Sequence, residues 1–167
     1  MLRCFAVLIF AGVLIGLPIL TAQVPHAAAQ MAPPPHDDFG AAIPVKVLPF
    51  VDKERDVRGA TWSEPDPDYV SCGAPIDQTV WYDVTPANDS RVTVDTFNST
   101  YVTVVAVYTG ERAGLTEVAC SRNPYQARVS FDAAAGTTYH VMIAAFWDAS
   151  TFCRESSLTA SFATCAS

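Results

Sequence analysis

Basic residues are scarce: ten Lys and Arg stand against 17 Asp and Glu, for a formal charge of -7. A nucleic-acid partner is excluded on that ground, because binding to phosphates rests on cations that release condensed counterions. Histidine numbers three, and His26 falls in a segment that reads as removed, leaving His36 and His140 as imidazole bases. No G-x-S-x-G string occurs, which removes the strand-turn-helix nucleophile elbow. No C-x-x-C or H-E-x-x-H string occurs, which removes the common zinc frameworks. Five cysteines in 167 residues are too few for a disulfide miniprotein. Charged residues are only 16% against 50% hydrophobic, so the chain is no disordered polymer. An apolar period of 3.6 is missing, and no unit of roughly 20 to 50 residues repeats, which sets aside helical bundles, solenoids and propellers. The length fits one domain, with or without a processed end.

One long apolar run is present, at the start. Met1-Leu2-Arg3 is a short positive lead, Cys4 to Leu20 is almost purely apolar, and Ala27-Ala28-Ala29 supplies the small residues that a signal peptidase pocket accepts. Met1 to Ala29 is therefore expected to be a signal peptide, with a secreted mature chain starting at Gln30 and no membrane attachment after cleavage. A retained anchor is the alternative, since about 17 apolar residues just span an untilted bilayer. Cys4 precedes the run, the wrong side for a lipoprotein. Gln30 to His36 reads as a spacer, with Pro33-Pro34-Pro35 favouring an extended backbone. The domain is expected over Asp37 to Ser167.

Between Asp37 and Asp68 acids and prolines predict loops and edge segments, with short strands at Val45 to Leu48 and Gly59 to Trp62. Beyond Cys72 the chain changes to β-branched and aromatic runs between turn residues. Strands are predicted at Val80 to Val84, Arg91 to Phe97, Tyr101 to Tyr108, Leu115 to Ala119, Ala127 to Asp132, Thr138 to Trp147 and Leu158 to Ala163. Turns are predicted at Pro86 to Asp89, Asn98-Ser99, Thr109-Gly110 and Ala135-Gly136. Asn88 and Asn98 open glycosylation-like triplets, but Asn belongs in hairpin turns for its own reasons. Alternation turns Val92, Val94, Val129 and Phe131 inward, and Thr93, Asp95, Arg128, Ser130 and Asp132 outward. Val102 to Val107 and Val141 to Phe146 do not alternate, so they are expected to be central strands covered on both faces. The fold class is all-β: an antiparallel β-sandwich of jelly-roll or Greek-key type with about seven to nine strands.

Side chains with chemistry are few. His140 reads as a satisfied polar residue in a central strand, and His36 as a surface histidine at the domain entry. Trp62, Trp81 and Tyr125 are the candidate binding aromatics, since flat rings stack on sugars and peptides at low entropic cost. Trp81, next to inward Val80 and Tyr82, is expected to face outward or to lie under a loop. Four cysteines survive removal of Cys4: Cys72, Cys120, Cys153 and Cys165. In an exported chain they predict two disulfides. Cys153 and Cys165 flank a strand of about eight residues at ~3.3 Å each, too far apart to bond. Up-and-down strands put the loops of Cys120 and Cys153 at one end, which favours Cys120 with Cys153 and leaves Cys72 for Cys165. Each bridge would stabilise the fold by roughly 3 to 5 kcal/mol.

The strings "HDDFGAAIPVKVLPFVDKERDVRGATWSEPD", "CGAPIDQTVWYDVTP", "SRVTVDTF", "VVAVYTG", "LTEVAC", "RVSFDAAAGTTYHVMI" and "LTASF" follow one another over Asp37 to Phe162. In order and spacing they resemble the bacterial pre-peptidase C-terminal domain. The resemblance implies a secreted jelly-roll sandwich without catalytic activity, usually appended to exported peptidases and other hydrolases. Some such domains bind collagen and others polysaccharide. Two positions depart from the pattern: Val102 stands where relatives carry an acid, and Cys120-Ser121-Arg122-Asn123 replaces an acidic phrase. The mature chain is expected to be the domain alone, with no peptidase before it. The resemblance also suggests calcium, a hard cation that takes clustered oxygens, with Asp37 and Asp77 as ligands and His36 replacing the usual Asn. The functional expectation is a non-enzymatic binding or accessory module whose partner is an extracellular polysaccharide or protein, or an exported peptidase served in trans. The alternative is a small secreted hydrolase or hydrolase inhibitor, inserting Arg112 to Gln126 into its partner.

Overall fold

The computed structural model describes residues 32–57, 59–64, 66–123, 126–146 and 157–165. The expected signal peptide, Tyr125, Trp147 and Cys153 lie outside the described residues. Ten strands occur among them: β1 Ile43–Val45, β2 Phe50–Asp56, β3 Tyr69–Val70, β4 Ala74–Val84, β5 Ser90–Asp95, β6 Thr103–Thr109, β7 Thr116–Arg122, β8 Arg128–Ala133, β9 Tyr139–Phe146 and β10 Ser157–Cys165. Single 3-10 turns stand at Phe39–Ala41 and Arg112–Gly114.

The strands form two sheets, β1-β4-β9-β6-β7 with β3 added to β4, and β2-β10-β5-β8. The predicted central segments are β6 and β9, flanked by strands on both sides, as their unbroken apolar runs require. Their inward residues Val105, Val107, Val141 and Ile143 meet Val92, Val94, Phe131 and Phe162 of the other sheet. Their outward residues Val104, Ala106, Tyr108, Met142 and Ala144 form a second apolar layer with Trp81 and Val70. β8 alternates as predicted, whereas β5, with a strand on either side, buries Thr93 as well as Val92 and Val94, and the Thr93 hydroxyl shares a hydrogen bond of 2.8 Å with that of Ser130.

Several expectations are corrected. Among the described residues ten strands stand where about seven to nine were expected, and pairing is not wholly antiparallel, because β1 runs parallel to β4. Gly59 to Trp62 is no strand; Thr61 is engaged by Asp37 instead. β2 occupies a stretch expected to be mostly loop, and β4 begins six residues before Val80. Asn98 does sit at its turn with φ of 73°, the left-handed conformation that Asn tolerates. Gly110 closes the β6–β7 turn at φ of 99°, where a Cβ would stand 2.8 Å from the Gly114 carbonyl oxygen, so only glycine fits.

Candidate functional site

Asp37, offered for calcium, accepts at both carboxylate oxygens: Oδ1 from the Thr61 N–H at 2.6 Å and Oδ2 from the Thr61 hydroxyl at 2.7 Å. It fastens the chain entering the domain to the Thr61 segment. Asp77 stands on β4 beside the register shift that follows it, its Oδ1 accepting from the Gln78 N–H at 2.9 Å. Among the described residues no group of three or more His, Cys, Asp or Glu side chains is placed to hold a metal ion.

His36, expected at the surface, is fully buried. Its carbonyl accepts from the Trp81 N–H at 2.9 Å, which draws the end of the spacer alongside β4. Its Nε2 lies 3.3 Å from the Tyr82 hydroxyl, which donates to Asp52 Oδ2 at 3.3 Å. Tyr82 belongs to one sheet and Asp52 to the other, so a polar chain crosses the core and ties the layers.

On the outer face of β4, Trp81 is completely covered: Phe39 meets it edge-on at 5.1 Å and Tyr108 lies at 6.1 Å. Its ring packs and is not presented to solvent. Trp62 is half-buried, and its indole N–H has no hydrogen-bond partner among the described residues. His140 and Asp83 are register partners across β9 and β4, with Nδ1 2.7 Å from Asp83 Oδ1. Phe39 covers the imidazole at 4.6 Å. Next in that row, Tyr108 is buried, and burial together with the Glu117 carboxylate pushes its phenol above the ordinary value. Burial likewise raises the Asp66 carboxyl, outweighing the Thr79 hydroxyl, the Ser63 N–H and the Arg112 charge, which lower it.

The expected disulfide pairing does not form. Cys72 is joined to Cys120, with Cα atoms 5.7 Å apart. The reason is strand length: β7 runs on to Arg122, so Cys120 lies within the strand rather than in a loop after it. Its side chain joins the outer apolar layer, where the turn before β4 arrives with Cys72. Neighbouring contacts hold that turn in place, with Ser71 donating to Glu117 and Arg122 to the Gly73 carbonyl at 3.0 Å. Cys165 ends β10. Of the stretch from Arg112 to Gln126, expected to be a loop, Thr116–Arg122 is strand β7, and Arg112 donates to the Glu64 carbonyl at 3.0 Å.

One concave feature draws on both sheets: a cleft of 720 Å³ at one end of the sandwich. The loop Lys46 to Leu48 after β1 forms one wall and the β4–β5 turn from Thr85 to Ser90 another, while Arg91, Asp132 and Thr164 close it from the second sheet. Val45 and Pro86 are buried beneath it. Arg91 and Asp132 are register partners on β5 and β8, and their ion pair spans 2.9 Å. Asp89 Oδ1 accepts from the Ala135 N–H at 2.8 Å, which fixes the turn. Sequence reasoning found the turn but not the cleft, because Lys46, Arg91 and Asp132 meet only through pairing between distant strands. The chain matches no protein-family model, and no curated protein aligns with it.

Proposed function

We propose that this chain is a secreted, non-catalytic binding module akin to the pre-peptidase C-terminal domain, holding an extracellular protein or polysaccharide, or an exported peptidase, at its surface. The observation that carries this reading is the cleft: it is open, built by the ends of five strands, and lined with apolar and polar groups together, as ligand sites are. A rigid scaffold with its binding groups on end loops is a common way for a sandwich to work.

Topology supports the jelly-roll part of the reading. Setting aside the short β1 and β3, the remaining eight strands form four nested antiparallel pairs: β2 with β10, β4 with β9, β5 with β8, and β6 with β7. That is one long hairpin rolled into two sheets, the arrangement of a jelly roll.

The test is a glycan, collagen and protein array probed with the purified mature chain, with and without calcium. Retention on a defined polymer class is expected, and silence across the whole array removes the binding reading. Turnover of ester, peptide or glycoside probes would instead establish the hydrolase alternative.

A further inference from the structure

We propose that the end cleft takes an uncharged, extended peptide segment of a partner protein, anchored by aliphatic side chains. This rests on the binding-module reading above and narrows it from any polymer to one class.

The first argument is the wall. Val47 is 74% exposed, the most exposed large hydrophobic residue among those described. Leu48 and Ala87 line the same space. Aliphatic surface left in water at a cleft rim gives up an unfavourable hydration term when an apolar partner covers it. The second argument is charge. The lining carries two cations, Lys46 and Arg91, and two anions, Asp89 and Asp132. Arg91 and Asp132 neutralise each other across 2.9 Å, and the chain as a whole is acidic. The cleft therefore sets up no field that would gather a polyanion such as a sulfated glycan.

The third argument separates peptide from neutral sugar. Sugar sites rely on flat aromatic faces, and among the described residues that line this cleft none is aromatic. Aliphatic walls and a proline suit valine, leucine or proline side chains instead. Among the described residues β1 also ends its sheet, with β4 on one side only, so the chain running into Lys46 and Val47 offers an edge beside which an extended segment can lie. The cleft volume lies in the range of about 300–1,000 Å³ that accommodates a short peptide or a molecule of similar size.

The experiment is a methyl NMR titration of the mature, disulfide-bonded chain with three probes: a capped hexapeptide of alternating valine and proline, a capped hexapeptide of Asp and Glu, and cellohexaose. The valine-proline peptide is expected to move the Val47, Leu48 and Ala87 methyl signals, and the other two to leave them in place. Val47→Asp and, separately, Ala87→Arg should each weaken that binding about tenfold or more, with unchanged circular dichroism showing that the fold survives. No movement of these signals with the valine-proline peptide overturns the inference, as does equal binding by both variants. Movement with cellohexaose alone overturns it too, while leaving the binding-module reading standing. A silent polymer array would take down that broader reading separately.

Discussion

The Asp37 carboxyl group, on a residue that is 8% exposed, accepts two short hydrogen bonds from Thr61 across 24 residues. Bonds to an ionised acceptor are the stronger kind, and removing the acceptor strands the Thr61 N–H. Asp37→Ala is therefore expected to lower stability by about 2–3 kcal/mol in urea titrations. If fastening is its role, the loss will be the same with and without added calcium; a wild-type midpoint that rises with calcium while the variant's stays fixed would make Asp37 a ligand instead. Asp66 gives a pH prediction. Its folded pKa lies above the ordinary value of 3.8 because of burial, so the native state holds the proton more tightly than the unfolded chain does. Its contribution is then most favourable at low pH and falls as pH rises from 3.8 through the raised folded value. Asp66→Asn should remove that downward slope, seen as a flatter dependence of the urea midpoint on pH over this window, while an acceptor oxygen for Thr79 is kept.

At the level of strands, the two sides of β6 and β9 do different work. Ile143 is fully buried between the sheets, whereas Val118 on the edge strand β7 is 42% exposed. Ile143→Ala should cost about 2–5 kcal/mol through lost burial and the cavity left behind, and Val118→Ala should fall within about 0.5 kcal/mol of wild type. Equal losses in a denaturation series would mean that the core is not where the sheets place it. These two central strands were legible because an apolar run without alternation has one meaning in a sheet: both faces covered. β2 was not. Its residues, Phe50-Val51-Asp52-Lys53-Glu54-Arg55-Asp56, are mostly charged, which in local terms reads as loop. As an edge strand it needs one neighbour only, β10. Its Asp52 can be 7% exposed because Tyr82, from the opposite sheet, donates to it. No window along the chain contains that partner. The same holds for the cleft, whose Lys46, Asn88 and Asp132 are ordinary surface residues until β1, β4 and β8 bring their ends together.

Across the whole molecule, the Cys72–Cys120 bond is the covalent link observed among the described residues, and it closes a separation of 48 residues. It ties the turn before β4 to the far edge strand of the same sheet, over the outer apolar layer that contains Trp81, Tyr108 and Met142. That layer is a satellite of the main core, held down from outside by the segments carrying Phe39, Val70 and Leu115. Cutting the link frees the unfolded chain, and for a loop of this length the chain-entropy model gives about 4 kcal/mol. The Cys72→Ser/Cys120→Ser double variant should unfold at correspondingly lower denaturant. In hydrogen exchange its amides around Val70 and, on the edge strand β7, Val118 should lose protection before those of Val92 and Val94, since the segments over the outer layer open while the inner core holds. Peptide mapping under non-reducing conditions checks the premise: a fragment carrying Cys72 must be joined to one carrying Cys120. A Cys120–Cys153 fragment would return the bond to the loops at the sandwich end, and both the stability loss and the order of opening would then have to be argued from that end instead.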